Sequence, residues 1–164
     1  MATDTVTVYL GLGSNMGDRE GNLDRALDLL SQRMRMGKVS SIYDTAPLGN
    51  TEQPRFLNMA CQVFTRLSPE GLLVLAKGIE SRLGRHGKSG APRPIDVDIL
   101  LFGNVVMDTP DLVIPHPRLA ERAFVLVPLA EIARDVVHPV AGKTIGELRK
   151  ALVEVQGVFK WETD

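Results

Sequence analysis

The chain has 164 residues, 44% of them hydrophobic and 24% charged, which is the composition of an ordinary globular domain. We expect one domain over residues 1–164, because a chain of this length buries a sizeable core. The 19 lysines and arginines nearly balance the 20 aspartates and glutamates. A net charge of -1 provides no bulk attraction to nucleic acid or to an anionic membrane.

The single cysteine, Cys61, excludes an intramolecular disulfide and is typical of a reducing compartment. The N-terminal stretch "MATDTVTVYLGLGSN" lacks the basic and then apolar pattern of a signal peptide. No apolar run is long enough to cross a bilayer. These features predict a cytoplasmic protein that has neither a nucleic-acid partner nor a membrane partner.

The first half of the chain reads as strand, helix and strand. Apolar and polar residues alternate over 6–12, which predicts a strand with one buried face. A loop "GSNMGD" leads into a helix with an apolar stripe from Leu23 to Met34, with Asp18 or Asn22 as its N-cap. A second strand is predicted through "KVSSIYDT", followed by the proline-containing loop "APLGNTEQPR".

The second half continues with a strand, a helix and another strand. "FLNMACQVFTRL" alternates as a third strand, with Cys61 on its apolar face and Phe56 and Asn58 on the other. Ser68 and Pro69 begin a helix that ends near Gly84. After the cation-rich loop "RHGKSGAPRP" comes a fourth strand, in which Val97, Ile99 and Leu101 share one face. The remainder predicts a helix broken around Pro128 within 118–133 and a last helix through "KTIGELRKALVEV".

The element order strand, helix, strand, strand, helix, strand is that of the ferredoxin-like βαββαβ arrangement. We therefore predict an α+β fold, an antiparallel sheet with helices on one face, followed by a C-terminal extension. Many functions use this fold, so the function has to be argued from the site.

Two carboxylates interrupt the fourth strand on one face. Asp96 and Asp98 are two residues apart, so their Cβ atoms lie roughly 7 Å apart on the same side. A solvated pair on an edge strand is the plain alternative. We favour a metal site, because like charges repel in a strand and paired carboxylates are the ligands that Mg²⁺ shares with phosphates.

The loop before this strand carries Arg85, Lys88 and Arg93. Loop cations are usually solvated, but two arginines beside a carboxylate pair indicate a clamp for a polyphosphate. The stretch "GLGSNMG" fits neither the dinucleotide fingerprint nor the P-loop, so a tight turn explains its glycines. An aromatic ring and an amide at Phe56 and Asn58 suit a flat, nitrogen-rich heterocycle.

The stretch "IPHP" places His116 between two prolines, with Arg118 and Arg122 close behind. A lone histidine is more often structural, and we assign it no acid-base role. With two arginines nearby, it is a candidate for binding a phosphate tail.

The chain resembles the hydroxymethyldihydropterin pyrophosphokinases of folate biosynthesis over nearly its whole length. The stretches "YLGLGSNMGD", "YDTAPLGNTEQPRFLNMA", "APRPIDVDILLFG" and "IPHPRLAERAFVLVPLAEIA" occur in the order and at the spacing of that family. The resemblance implies a ferredoxin-like α+β fold. It also implies transfer of pyrophosphate from ATP to the pterin's hydroxymethyl oxygen, with release of AMP.

The resemblance also implies a role for each site residue. Two magnesium ions are expected on Asp96 and Asp98, and catalysis is expected from Arg85 and Arg93. The pterin-binding residues would be Thr45, Pro47, Leu48, Phe56, Asn58 and Phe124. The ATP-binding residues would be Glu80, Lys88, His116, Arg118 and Arg122. Many members have a tryptophan in the catalytic loop, whereas this loop reads "SGAPRP" and the only tryptophan is Trp161.

ATP and the reduced pterin are thus the expected partners, and we expect a monomer. Two other functions fit the sequence less well. An RNA-binding module needs exposed sheet aromatics and a basic surface, whereas the chain is 5% aromatic and slightly acidic. A regulatory small-molecule domain would not need the aspartate pair.

Overall fold

The computed structural model describes residues 4–45, 55–84, 94–152 and 157–161. Its elements are an antiparallel set of strands, helices on both sides and one short 3₁₀ turn. In chain order they are β1 Val6–Ser14, α1 Arg19–Ser31, β2 Arg35–Val39, β3 Tyr43–Thr45, β4 Phe56–Thr65, α2 Pro69–Arg82, β5 Asp96–Phe102, β6 Met107–Asp108, β7 Val113–Ile114, the 3₁₀ turn Leu119–Glu121, α3 Ala123–Ala133, α4 Ile145–Ala151 and β8 Val158–Lys160.

The main sheet has the strand order β5-β1-β4-β3-β8, and β2 pairs with β4 beyond the end of β3. Its strand pairs are antiparallel, and β6 and β7 form a separate hairpin. The prediction of an α+β fold built on an antiparallel sheet is confirmed. Within the part of the chain that the structure describes, no helix combines the length and apolar character needed to cross a bilayer.

Helices α1 and α2 cover the first face of the sheet, as the alternation predicted. Leu10 and Leu12 of β1 pack there with Met59 and Cys61 of β4, and with apolar residues of both helices. Burial raises the pKa of the Cys61 thiol to about 12, so this cysteine behaves as an inert core residue.

Helices α3 and α4 cover part of the second face, which the prediction of helices on one face did not include. Tyr9, Ala60 and Leu101 of the sheet pack there against Leu126 and Leu148 of these helices. The C-terminal extension thus adds a second, smaller core.

Helix α3 also corrects the prediction of a break around Pro128. The change of structure lies at Arg122, between the 3₁₀ turn and α3, and Pro128 lies inside the helix. The proline removes one helical hydrogen bond, but Leu126, Leu129 and Ile132 keep a continuous buried stripe on both sides of it. Packing therefore outweighs the lost bond.

The predicted second strand is divided into β2 and β3 by residues 40–42. Ser40 is buried in this gap and preserves the pairing with β4, since its N–H donates to the Ala60 carbonyl at 2.9 Å. Its hydroxyl accepts from the Ala60 N–H at 2.8 Å and replaces a backbone carbonyl. The division of the strand therefore leaves both the N–H and the carbonyl of Ala60 paired.

Glu131 of α3 connects β3 and the gap before it to the helices that cover the second face. Its carboxylate accepts hydrogen bonds from the Tyr43 hydroxyl at 2.6 Å and from the N–H of Ser41 at 2.9 Å. Burial together with this bond raises the pKa of Tyr43 to about 12. Burial also acts to raise the pKa of Glu131, but the bonds from Tyr43 and Ser41 outweigh it and lower that pKa below its usual range.

We predict that Tyr43→Phe lowers the free energy of unfolding by about 0.5–1 kcal/mol at neutral pH, because one hydrogen bond to an exposed carboxylate is lost. A lowered pKa stabilises the fold above the ordinary pKa of Glu131, and this contribution disappears as the pH falls through the pKa of the folded state. The difference between wild type and variant should therefore shrink on acidification, measured by urea unfolding. Tyr9→Phe is the control, because the Tyr9 hydroxyl is hydrogen-bonded to the neutral Gln62 amide. The change in the free energy of unfolding caused by Tyr9→Phe should therefore stay the same on acidification.

Candidate active site

The aspartate pair lies at the start of β5, on the second face of the sheet. Asp96 is half-buried and Asp98 is exposed. Across the ladder, Asp96 is opposite Gly13 and Asp98 is opposite Gly11 of β1. The two carboxylates therefore share one face, as predicted, next to a strand segment that has no side chains there.

A β-bulge ends this polar stretch. The register pairs Leu10 with Ile99 and Tyr9 with Leu101, so Leu100 is the extra residue. Leu100 and Leu101 both join the core beneath α3 and α4. The prediction that Leu101 shares the apolar face of Val97 and Ile99 is therefore wrong, because the bulge reverses the alternation.

Glu80 of α2 holds the backbone between the two aspartates. Its Oε2 accepts a hydrogen bond from the Val97 N–H at 2.8 Å, and its Oε1 lies 3.5 Å from Lys77 Nζ. Glu80 is only 3% exposed, whereas Lys77 is exposed. A charged acceptor thus fixes the strand at the residue that separates Asp96 from Asp98.

A buried polar pair lies two strands away on the same face. Asn58 of β4 is opposite Gly13, and its Nδ2 donates to Thr45 Oγ1 of β3 at 2.6 Å. Both side chains are buried, and half-buried Phe56 is opposite Thr45. Two strand spacings separate Asn58 from Asp96, which is roughly 10 Å.

Arg118 and Arg122 bring positive charge to the edge of β5, next to His116. The His116 N–H donates to the Leu100 carbonyl at 3.0 Å, which holds this segment beside the aspartate strand. Burial and the charges of Arg122 and Arg118 lower the pKa of His116. Its Nδ1 accepts from the Arg118 N–H at 3.3 Å, so the neutral ring carries its proton on Nε2 and donates from there.

Phe124 is near the start of α3, the helix that packs over β3 and β4. The Arg122 guanidinium lies 5.5 Å from the centre of the Phe124 ring. This contact links the basic cluster to an aromatic ring on the same side of the sheet.

The structure thus brings together most of the predicted site residues on one side of the sheet. They are Thr45, Phe56 and Asn58, Asp96 and Asp98, and His116, Arg118, Arg122 and Phe124, with Glu80 supporting the aspartate strand. Five predicted residues, Pro47, Leu48, Arg85, Lys88 and Arg93, lie outside the described residues.

Sequence reasoning missed Arg55, which directly precedes β4 and is hydrogen-bonded to β3 and to the residue before β8. Its Nε donates to Asp44 Oδ1 at 2.7 Å and its Nη2 to the Gly157 carbonyl at 3.1 Å. Its own carbonyl accepts from Arg19 Nη1 at 2.9 Å. No local pattern reveals such a role, because the partners come from distant parts of the chain.

The donor set fits magnesium and disfavours an all-protein metal cage. Among residues 4–45, 55–84, 94–152 and 157–161, no group of three or more His, Cys, Asp or Glu could hold a metal ion. Mg²⁺ keeps several waters and binds through one or two carboxylates together with substrate phosphates. An accessible aspartate pair beside a basic cluster meets that requirement.

Comparison with known proteins identifies the family. Residues 9–134 match the family 7,8-dihydro-6-hydroxymethylpterin-pyrophosphokinase (HPPK). The 2-amino-4-hydroxy-6-hydroxymethyldihydropteridine pyrophosphokinase of Bacillus subtilis is 45% identical over 157 residues, covering 94% of this chain and 89% of that protein. The Aquifex aeolicus protein with the same description is 40% identical, covering 87% of this chain and 90% of its own length.

Some similar proteins are longer. This chain is 40% identical to the folic acid synthesis protein fol1 of Pneumocystis carinii but covers only 21% of it. A Plasmodium falciparum HPPK-DHPS crystal structure is similar with a TM-score of 0.76 and 18% identity, covering 90% of this chain and 45% of that one. At that identity the likeness supports the fold alone.

The fold and the family match define the chain as an ATP-dependent pyrophosphokinase. It belongs to the 7,8-dihydro-6-hydroxymethylpterin-pyrophosphokinase family, whose members transfer pyrophosphate to hydroxymethyldihydropterin in folate synthesis.

We predict that Glu80→Leu lowers the free energy of unfolding by about 1–3 kcal/mol, because the buried Val97 N–H loses its acceptor. Glu80→Gln keeps an acceptor oxygen and is the matched control, with a smaller loss expected. Urea unfolding of both variants at neutral pH measures the difference. Equal losses in the two variants would show that the bond to Val97 does not hold the strand.

Proposed function

We propose that ATP, magnesium and the reduced pterin bind together across the second face of the sheet. The observation that carries this proposal is the row formed by Asp96, Gly13 and Asn58 on β5, β1 and β4. The metal-binding carboxylates and the pterin-binding amide are separated by one strand that has no side chain between them. The separation of roughly 10 Å suits a pyrophosphate group passing between two substrates.

Asp96 and Asp98 would hold two Mg²⁺ ions. When bound, these ions supply charge neutralisation and orientation of the polyphosphate. The carboxylates are accessible on one face, and Glu80 fixes the backbone between them, so their spacing is set before substrate arrives.

Phe56 and Phe124 would enclose the pterin ring, and Asn58 and Thr45 would read its edge together with Pro47 and Leu48. The bond between Asn58 and Thr45 supports this assignment, because it leaves Asn58 in a fixed orientation. An amide that is already held in one orientation loses little conformational entropy when it hydrogen-bonds to the edge of a ring.

The nucleotide would bind along β5 through Glu80, Lys88, His116, Arg118 and Arg122. The Nε2–H group of His116 and the guanidinium groups of Arg118 and Arg122 are hydrogen-bond donors suited to phosphate oxygens. Glu80 contacts the backbone between the aspartates, which supports a position next to the metal–nucleotide complex.

Catalysis would follow from positioning and charge stabilisation. The pterin hydroxyl would attack the β-phosphorus of ATP and release its proton to solvent, the bond from the β-phosphorus to the bridging oxygen of the α-phosphate would break, and AMP would leave with that oxygen. Arg85 and Arg93 would stabilise the charge that shifts to the bridging oxygen, which is the role that arginines take in phosphoryl transfer. The single domain over 1–164, the monomer and the cytoplasmic location stay predictions from the sequence.

We predict that Asp96→Asn and Asp98→Asn each lower kcat by about 100-fold or more, because metal charge at the phosphates contributes several kcal/mol to the transition state. Formation of AMP from ATP and the reduced pterin alcohol is the assay, carried out with increasing Mg²⁺. Asp111→Asn, an exposed aspartate of the β6–β7 hairpin, is the control and should be unchanged. Normal AMP formation by either variant would contradict the metal assignment, and ADP as product would contradict pyrophosphate transfer.

We also predict that binding of a non-reactive ATP analogue becomes tighter as the pH falls, by about three- to tenfold between about pH 7.5 and 5.5. The pKa of His116 is lowered in the free protein, and a bound phosphate would raise it. Affinity therefore increases as the pH falls through the pKa of the complex and levels off below that of the free protein.

His116→Asn should flatten this dependence, measured by calorimetry with the magnesium complex of the analogue. His138→Asn is the control, because His138 also has a lowered pKa but its Nδ1 accepts from the backbone of Val140 and Ala141. An unchanged pH profile in His116→Asn would place the phosphates away from this ring.

A further inference from the structure

Gly13 of β1 lies between Asp96 of β5 and Asn58 of β4, and a side chain at this position would collide with Asn58. A β-carbon added at Gly13 would lie 2.6 Å from Asn58 Oδ1 and 3.6 Å from Phe56 Cδ1. The first distance is shorter than real β-carbon contacts allow. Gly13 does not have a positive φ, so its backbone is compatible with alanine and the constraint is space alone.

The Asn58 amide has little freedom to yield. Its Nδ2 is bonded to Thr45 Oγ1 at 2.6 Å, and Asn58 and Thr45 are 9% and 2% exposed. Rotation away from a methyl group at position 13 would break this bond and leave buried polar atoms unpaired. A methyl group at position 13 would therefore displace the Asn58 amide only at the cost of its bond to Thr45.

Gly11 provides the contrast within the same strand. It lies two residues earlier on the same face, opposite Ala60 of β4. A β-carbon there would meet the Leu100 side chain at 3.4 Å, which is near ordinary contact with the flexible end of a leucine. The two glycines thus share a strand and a face but differ in what an added methyl group would touch.

We propose that Gly13 is a positioning residue for pterin recognition: its missing side chain sets the orientation of the Asn58 amide. Gly13 acts through Asn58 and needs no contact of its own with the substrate. This inference rests on the proposed role of Asn58 in binding the pterin, and the experiment below separates the two.

The test is a double-mutant cycle with Gly13→Ala, Asn58→Ala and the double variant, with Gly11→Ala as the matched control. The dissociation constant of the pterin is measured with a non-reactive ATP analogue present, and that of the analogue alone is measured separately. In parallel, the side-chain amide signal of Asn58, assigned by its absence in Asn58→Ala, is followed by ¹⁵N–¹H NMR without ligand.

Gly13→Ala should weaken pterin binding about tenfold and shift the Asn58 amide signal. It should change the affinity for the ATP analogue by less than about twofold, and Gly11→Ala should change pterin affinity by less than about twofold. In the Asn58→Ala background, Gly13→Ala should cause no further loss of pterin affinity. If Gly13→Ala fails to fold, folding of the double variant supports the steric conflict, because the amide has been removed.

Three results would overturn the inference. The first is an unmoved Asn58 amide signal in folded Gly13→Ala, and the second is a pterin affinity in the double variant that is about tenfold weaker than in Asn58→Ala. The third is failure of both Gly13→Ala and the double variant to fold. The proposed function fails separately. If Asn58→Ala binds the pterin normally, the assignment of Asn58 is wrong, whereas a shifted amide signal in Gly13→Ala still supports the steric link.

Discussion

The bulge at Leu100 is the constraint on which the arrangement of the second face depends. A regular β5 would leave only one of its two leucines facing α3 and α4. The extra residue turns both Leu100 and Leu101 to that side and returns Phe102 to the first core. Asp98 is exposed and Leu100, two residues later on the same face, is buried; the bulge then adds Leu101 to the buried end of that face. The irregularity thus enlarges the core under α3 and α4 at one end of β5 and leaves the two aspartates at the other end in regular strand geometry.

The neighbouring strands follow the same division. In β1, Gly11 and Gly13 lie beside the aspartates and Tyr9 lies in the core of α3 and α4. In β4, Asn58 lies at the polar end and Ala60 at the apolar end. Polar groups at the first end are satisfied by specific partners, Thr45 for Asn58 and the Val97 amide for Glu80. Such satisfied, buried polar contacts fix the geometry of the backbone and the side chains, which suits a site that must hold charged substrates.

Much of the fold and part of the site could be predicted from the sequence. Period-two alternation identified β1 and β4 and assigned Cys61 and Asn58 to opposite faces, because those strands are regular. The same rule failed for Leu101, since a bulge leaves no mark in the apolar pattern. The sequence predicts a break at Pro128 because the local cost of proline is visible in a sequence, whereas the packing that compensates for it is tertiary. The shared face of Asp96 and Asp98 could be predicted because both lie on one regular stretch of strand. The constraint at Gly13 was not found, because it depends on the register between strands that are far apart in sequence.

In the proposed arrangement, metal and pterin bind on opposite sides of the glycine segment of β1, residues 11–13. The most direct measurement is a crystal structure with a non-reactive ATP analogue, the reduced pterin alcohol and Mn²⁺ in place of Mg²⁺, with anomalous scattering to locate the metal. The account predicts anomalous peaks within coordination distance of Asp96 and Asp98, and a pterin ring at Asn58 between Phe56 and Phe124. A metal away from both aspartates, or a pterin that does not contact Asn58, would contradict it.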